Sequence, residues 1–147
     1  MNWLPRLTVA TIIERDGRFL LVEEYADGEE LVYNQPAGHL DEHETLAAAA
    51  IRETLEETAW EVRIDAIVGI YYWTHPKGHT FVRTCFAGKA LHHHPNQPLD
   101  RGIQRAVWLT REEIAALGPK LRSPMVLHCI DDYLAGKRYP LELFGYL

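Results

Sequence analysis

Short runs of apolar, β-branched and aromatic residues recur along the chain, and turn-forming residues separate them. Runs of this composition and length are typical of β-strands. The first two runs flank Asp16-Gly17, a turn sequence that favours a hairpin, and Asp27-Gly28 ends this unit. The pattern predicts strands at residues 7–13, 19–22, 31–33, 62–74, 79–90 and 106–109.

Helical patterns occupy the middle and the end of the chain. Residues 44–59 are rich in Ala, Leu, Glu and Arg and contain neither Gly nor Pro, which predicts the longest helix. Near the end, Thr110 and Glu113 form a capping-box sequence, and Ser123-Pro124 is a typical helix start with Gly136 as the matching stop. These signals predict helices at residues 110–117 and 124–135.

The order of these elements predicts the fold class. Residues 35–43 and 91–102 are rich in turn residues and are predicted to be loops. Strands first, a helix between strands and helices last indicate an α+β domain built around a mixed β-sheet. No linker or repeat divides the sequence, so we expect one domain over residues 1–147.

Three carboxylates share one side of the predicted helix 44–59. At about 100° per residue, Glu53, Glu56 and Glu57 fall within an arc of roughly 100°. The apolar residues fall opposite, which predicts that this opposite side packs on the core. The predicted buried side consists of Ala47, Ala48, Ile51, Leu55 and Ala59.

Such an acidic cluster is unfavourable unless a cation neutralises it, because like charges at this spacing repel. Oxygen ligands alone suit a hard divalent cation, Mg²⁺ or Mn²⁺, which commonly recruits phosphate to complete its coordination. Arg52 can pair with Glu56 four residues later and hold its carboxylate. The alternative is an exposed acidic helix face with one surface ion pair.

Composition excludes several classes of function. The 147 residues carry a formal net charge of −6, so binding to a nucleic acid polymer by bulk electrostatics is not expected. No apolar run is long enough for a membrane span, and the N-terminus does not resemble a signal peptide. Two cysteines far apart in sequence favour a reducing, cytoplasmic location.

The segment around the acidic helix resembles the Nudix box. Gly38, five residues, Glu44, seven residues and then Arg52-Glu53-x-x-Glu56-Glu57 match that motif in residue type and spacing. The resemblance implies the Nudix fold, an α/β/α sandwich around a mixed sheet, and metal-dependent cleavage of a phosphoanhydride. Two positions depart from the motif: Thr54 replaces an aliphatic residue and Ala59 replaces a glycine that ends the helix.

The resemblance also implies roles for the motif residues. Glu53 and Glu57 are then the principal metal ligands, Glu56 is a further ligand or the general base, and the Gly38 carbonyl is another ligand. The cation is expected to be Mg²⁺, with Mn²⁺ possible. Which glutamate is the base varies within the family, so that assignment stays open.

Further segments are similar to the NudJ-type phosphatase branch of the same family. They are residues 34–40, 121–124 and 138–142. This resemblance implies as substrates nucleoside tri- and diphosphates, or pyrimidine pyrophosphates such as hydroxymethylpyrimidine pyrophosphate.

Several residues outside the motif are candidate contacts to the metal or the substrate. For each of them the alternative is a structural role, as a packed or a solvent-exposed residue. Asp100 is a candidate metal ligand or a solvated loop residue, and Arg83 is a candidate phosphate contact or an outward-facing strand residue. The remaining candidates, with packing or solvation as the alternative, are Gln35 and Tyr33 for the organic half, Trp73 with Tyr71 and Phe81 for ring stacking, and Arg122 and Tyr133 near the last helix.

Other chemistry is less well supported by the sequence. The run His92-His93-His94 lacks a spaced fourth ligand for zinc and is expected to be a solvated loop. Cys85 and Cys129 are expected to be inert core thiols. The leading hypothesis is therefore a Nudix hydrolase, with a non-catalytic nucleotide sensor and a diphosphate isomerase that depends on Cys85 as alternatives.

Overall fold

The computed structural model describes residues 2–26 and 28–147, so Asp27 in the predicted turn lies outside the described residues. The strands are β1 (Arg6–Arg15), β2 (Arg18–Ala26), β3 (Glu30–Asn34), β4 (Ala37–His39), β5 (Trp60–Thr74), β6 (Thr80–His93) and β7 (Ile103–Thr110). The α-helices are α1 (Leu46–Thr58), α2 (Arg111–Ala116) and α3 (Met125–Leu134). Single 3₁₀ turns cover Gly118–Lys120 and Leu141–Leu143.

The strands form a mixed sheet in the order β3-β2-β1-β6-β5, with β4 paired to β1 and β7 paired to β2. The pair β1–β6 is parallel, whereas β1–β2 and β5–β6 are antiparallel. Successive residues of β1 point to opposite faces of the sheet and contact different helices: Val9 packs with α1, and Ala10 packs with α3. Helices therefore cover opposite faces of the sheet, which confirms the predicted α+β class and its α/β/α layering.

Registers across β1, β6 and β5 bring distant parts of the sequence side by side. Phe81 of β6 pairs with Arg6 of β1 and Trp73 of β5, which forms one row across the sheet. Two residues further along β6, Arg83 pairs with Thr8 and Tyr71 and forms a second row. Because side chains two residues apart share a face of the sheet, these two rows lie on the same face.

Helix α1 packs with a different side from the one its apolar residues predicted. Ile51 is 38% exposed and Ala48 is exposed, so the prediction is wrong for these two residues, whereas Ala59 is buried and Ala47 is partly buried against the core. The buried residues are Ala49, Ala50, Thr54, Glu57 and Thr58. Small side chains let the helix approach the sheet closely, and the hydroxyl of Thr54 is satisfied by the Ala50 carbonyl at 2.7 Å. On the acidic side of α1, Glu57 therefore faces the protein interior, whereas the Glu56 side chain is 39% exposed.

Local signals placed the helix ends well. Thr45 caps α1 by accepting from the Ala48 N–H, and Ala59 follows with a φ of 62°, the left-handed conformation that favours glycine. The capping box of Thr110 and Glu113 is present in full at α2. The N-cap of α3 is Pro124 rather than Ser123, whose hydroxyl accepts from the Met125 N–H at 3.2 Å.

Two predicted loops contain strand residues. β4 lies within the predicted loop 35–43, and β6 continues three residues beyond Ala90 to His93. Both additions depend on pairing with distant strands, β4 with β1 and the end of β6 with Trp60 and Glu61 of β5. In the part of the chain that the structure describes, no helix is long and apolar enough to cross a membrane.

Candidate active site

The carboxylate of Glu53 on α1 lies directly against the backbone of Gly38 on β4. A β-carbon added to Gly38 would overlap the carboxylate carbon and both oxygens of Glu53. Only glycine leaves the room that this side chain occupies. The pairing of Gly38 with Val9 of β1 fixes this contact in the fold.

Arg52 connects the carboxylates that surround it. Its guanidinium donates to both oxygens of Glu44, at 2.7 and 2.9 Å, and to Glu53 at 2.9 Å. The predicted pair with Glu56 is present but longer, at 3.3 Å. The hydrogen bonds from Arg52 lower the pKa of Glu44 to about 2. Arg52 therefore holds Glu53 and Glu56 in place, and Glu44 holds Arg52.

Glu57 is the most deeply buried of the three glutamates on α1. Its side chain accepts from the Ala37 N–H at 2.9 Å, and the residue is 8% exposed. Burial raises the pKa of Glu57 to about 9, and the nearby charge of Glu24 adds to the shift. Burial likewise raises the pKa of Glu53. A cation bound among these carboxylates would lower both pKa values, because it favours the charged form.

Glu53, Glu56 and Asp100 each bring a carboxylate oxygen within 4.8 Å of the other two. Asp100 follows β6 and is anchored there because its N–H donates to the Glu56 carbonyl at 2.9 Å. Three carboxylates at this separation form a donor set that suits a hard divalent cation. The structure thus brings the predicted loop residue Asp100 to the acidic helix.

A cavity of about 610 Å³ opens beside these carboxylates. Of the candidate residues from the sequence, seven line it: Gly38, Glu53, Glu57, Trp73, Phe81, Arg83 and Arg122. Glu56, Asp100 and Arg52 contact this site from the side of α1 rather than from the cavity wall.

Arg83 contributes a buried cation to the cavity wall. It is 4% exposed, which excludes the alternative of a solvated, outward-facing residue. Its two terminal nitrogens donate to the side-chain oxygens of Gln35, at 2.9 Å, and Asn34, at 3.0 Å. Its buried Nε has no hydrogen-bond partner among the described residues. A buried guanidinium with spare hydrogen-bonding capacity is suited to an anionic ligand.

Aromatic and ionic groups complete the wall. The Trp73 and Phe81 rings are stacked with centroids 5.9 Å apart, and the Arg6 guanidinium lies 5.7 Å from the Phe81 centroid. Arg122 is tied to Glu24 at 2.8 Å. The organic part of a ligand could contact this aromatic row while its anionic part contacts Arg83.

Four predicted contacts lie away from the cavity lining. Gln35 is 1% exposed, and both ends of its amide are used, by Arg83 and by the Val126 carbonyl at 2.7 Å. The hydroxyls of Tyr33, Tyr71 and Tyr133 donate to Glu23, Asp132 and Glu14 respectively. Each of these side chains is hydrogen-bonded to a partner within the protein, and its contact with substrate stays a prediction.

The sequence did not single out several residues that line the cavity. They are Arg6, Thr8, Glu24, Asn34, Asp41, His75, Lys77 and His79. His75, Lys77 and His79 lie close to Trp73 in sequence, and alternation along the hairpin could have suggested some of them. Glu24 and Asn34 could not be found in this way, because their position depends on how β2 and β3 pair.

The remaining histidine and cysteine predictions have mixed outcomes. His92 and His93 belong to β6 and are exposed, whereas His94 follows the strand and is only partly exposed, so the prediction of a solvated loop is confirmed in part. Cys85 and Cys129 are both 0% exposed and free, as expected of core thiols. A fully buried Cys85 cannot reach a ligand in the cavity, where it contributes no lining atoms.

Comparison with known proteins agrees with this geometry. The NUDIX domain family matches residues 4–129. The chain is 41% identical over 141 residues to Phosphatase NudJ of Escherichia coli strain K12, covering 96% of this chain and 91% of that protein. The same figures hold for Phosphatase NudJ of Shigella flexneri.

Solved structures show the same fold. A NUDIX hydrolase from Nitrosomonas europaea superimposes with a TM-score of 0.95 and 44% sequence identity, over 98% of each chain. The match to the family, the relatives and the clustered carboxylates of α1 lead to one conclusion: this chain belongs to the Nudix hydrolase family.

Proposed function

We propose that the protein hydrolyses a phosphoanhydride bond in a nucleoside tri- or diphosphate or in a pyrimidine pyrophosphate, with Mg²⁺ as its cation and Mn²⁺ as a substitute. The observation that carries this proposal is the convergence of carboxylate oxygens from Glu53, Glu56 and Asp100, within 4.8 Å of one another, beside a cavity that also holds Arg83. A diphosphate needs both features: a cation held by carboxylates and a positively charged wall.

The residues of the site fit a divalent cation. Glu53, Glu56 and Asp100 supply oxygen ligands, Glu57 adds a buried carboxylate, and the Gly38 carbonyl is a further candidate ligand. When bound, the cation offsets phosphate charge and makes a coordinated water more acidic. The tightness of the Gly38–Glu53 contact supports this assignment, because it keeps the Glu53 carboxylate from moving toward β4.

The side chains have separate tasks in this reaction. One of Glu53, Glu56 and Glu57 accepts a proton from the attacking water as the general base. Arg52 positions Glu53 and Glu56 through the hydrogen bonds described above. Arg83 and Arg122 contact phosphate oxygens, and Trp73 stacks on the base or pyrimidine ring.

The relatives support the choice of hydrolysis over the alternatives. Those at 41% identity are named phosphatases, and the chain covers 91% of their length. A nucleotide sensor would not need the complete set of motif glutamates, which this chain retains. An isomerase that uses Cys85 is disfavoured because that thiol is completely buried. Free buried thiols also agree with a cytoplasmic location.

Phosphate release tests the proposal directly. The purified protein should release phosphate from members of a panel of nucleoside tri- and diphosphates and pyrimidine pyrophosphates when Mg²⁺ is present, and EDTA should abolish the release. Glu53→Gln should lower kcat by at least about 100-fold, whereas Cys85→Ala should leave kcat unchanged. Phosphorus NMR of the products would identify the bond cleaved. No release from any member of the panel would favour the sensor.

A further inference from the structure

Among the described residues, Arg83 is held by two neutral amides and by no carboxylate. Within residues 2–26 and 28–147, every acceptor of its terminal nitrogens is an amide oxygen, of Asn34 at 3.0 Å or of Gln35 at 2.9 Å. The other well-fixed arginines of the chain, such as Arg52 and Arg111, pair with carboxylates. An amide and a carboxylate have nearly the same size and accept in the same geometry, but only the carboxylate cancels the charge of the arginine.

Both amides are themselves rigidly supported. Gln35 is 1% exposed, and its Nε2 donates to the Val126 carbonyl in α3 at 2.7 Å. Asn34 ends β3, is 8% exposed and pairs with Val22 of β2. The guanidinium is therefore held by the last residue of β3 and the residue that follows it, and α3 fixes Gln35 in turn. Its buried Nε has no partner in the part of the chain that the structure describes.

A buried charge without a counterion is strongly unfavourable, so a fold that keeps one needs an anion to occupy the site. We propose that Asn34 and Gln35 are positioning residues that orient Arg83 while preserving its full positive charge, and that this arrangement selects a multiply charged phosphate group. The inference rests on the proposed function for the identity of the anion. It assigns Gln35 a role behind Arg83 instead of the substrate contact that the sequence suggested.

Replacing the amides by carboxylates of the same size tests this inference. Asn34→Asp and Gln35→Glu each place a negative charge on the guanidinium with almost no change in shape. Asn34→Asp is the cleaner variant, because Gln35→Glu also loses the hydrogen bond that Nε2 donates to the Val126 carbonyl. We expect both variants to fold and to bind inorganic pyrophosphate with Mg²⁺ at least about tenfold more weakly by calorimetry, because the charge of Arg83 is neutralised. KM for substrate should rise by a similar factor, with kcat changed much less.

Gln104→Glu is the matched control, because Gln104 is exposed on β7 and the change in net charge is the same. It should leave the dissociation constant of pyrophosphate unchanged. Equal weakening in this control would overturn the proposal, since the effect would then be one of overall charge. Unchanged pyrophosphate binding in folded Asn34→Asp and Gln35→Glu would overturn it as well.

A second comparison keeps the test decisive if a carboxylate variant fails to fold. Arg83→Gln removes the charge itself and should weaken pyrophosphate binding at least as much. Arg83→Lys keeps the charge but cannot make both hydrogen bonds to Asn34 and Gln35, so it should raise KM by about tenfold. A wild-type KM would overturn the positioning role. Because pyrophosphate binding requires no turnover, a protein that binds through Arg83 but hydrolyses nothing would refute the proposed function alone.

Discussion

Glu53 and Gly38 are in contact so close that residue 38 has no room for a side chain. Glu53 belongs to α1 and Gly38 to β4, so the contact joins the acidic helix to the short strand in front of it. The contact ties a backbone requirement to the proposed metal site, because a larger residue at position 38 must displace a candidate ligand.

Gly38→Ala should therefore inactivate the enzyme more than it destabilises the fold. The added methyl group moves the Glu53 carboxylate, and we expect kcat to fall by about 100-fold or more, as misplacement by about 1 Å can cause. Phosphate release and thermal unfolding measure the two effects. Gly145→Ala is the control, because a β-carbon there meets no atom within 4 Å. Near-wild-type activity of Gly38→Ala would show that the contact is not needed.

Glu57→Gln should separate catalysis from stability. The amide can still accept from the Ala37 N–H but cannot supply a carboxylate, so kcat should fall by orders of magnitude. In EDTA, the variant should be as stable as the wild type at pH 5 and more stable at pH 8, by on the order of 1–3 kcal/mol.

The sign follows from the raised pKa of Glu57, about 9 in the folded protein against 4.5 when unfolded. The folded state retains the proton longer, so this contribution to stability is complete below pH 4.5 and is lost as the pH rises toward 9. Urea unfolding at several pH values checks the trend. Exposed Glu142→Gln should show no such divergence. An unfolded Glu57→Gln protein would mean that the carboxylate is structural.

The opposite pH dependence is expected at Glu44. Arg52 lowers the pKa of Glu44 from 4.5 to about 2, so the stabilisation is present above pH 4.5 and is lost as the pH falls toward 2. Glu44→Gln should destabilise the protein at pH 7 by about 1–3 kcal/mol, and the difference from wild type should shrink on acidification. Acid titration of the free energy of unfolding measures this.

The same variant should also lower kcat, by about tenfold, because Arg52 loses the partner that holds it against Glu53 and Glu56. Glu42 is the matched control, since its side chain is 87% exposed. If Glu44→Gln and Glu42→Gln behaved alike in both assays, the positioning role of Arg52 would lose its support.

Local sequence signals predicted the local parts of this structure. The strands, the capping box at Thr110 and the helix over the motif follow from nearby residues, and the motif spacing located Glu53, Glu56 and Glu57. The helical periodicity of residues 44–59 did not predict which side of α1 packs on the sheet. That choice depends on Ala49, Ala50 and Thr54 fitting closely against β1, a long-range complementarity in which small residues outweigh Ile51.

Site residues on other elements were predictable only as residue types. A mid-strand arginine suggested an anion contact, and Arg83 is indeed buried at the cavity. Its amide partners could not be predicted from the sequence, because the contact joins the Arg83 side chain of β6 to residues at the end of β3, with β2 and β1 between these strands in the sheet. Gln35 was singled out for its position before the motif, but the structure commits its amide to Arg83 and α3.

The close fit of α1 can be tested through the departure of Thr54 from the family motif. The Thr54 and Thr11 hydroxyls are hydrogen-bonded at 3.0 Å, and both residues are 0% exposed. Thr54→Val alone leaves the Thr11 hydroxyl without this partner and should destabilise the protein by about 1–2 kcal/mol.

Thr54→Val with Thr11→Val should restore most of that loss, because replacing both partners by apolar groups of the same shape is nearly neutral. Urea unfolding of the two single variants and the double variant gives a coupling energy of about 1 kcal/mol if the pair interacts, and additive effects would show that it does not. Phosphate release should stay near the wild-type rate throughout, since neither threonine lines the cavity.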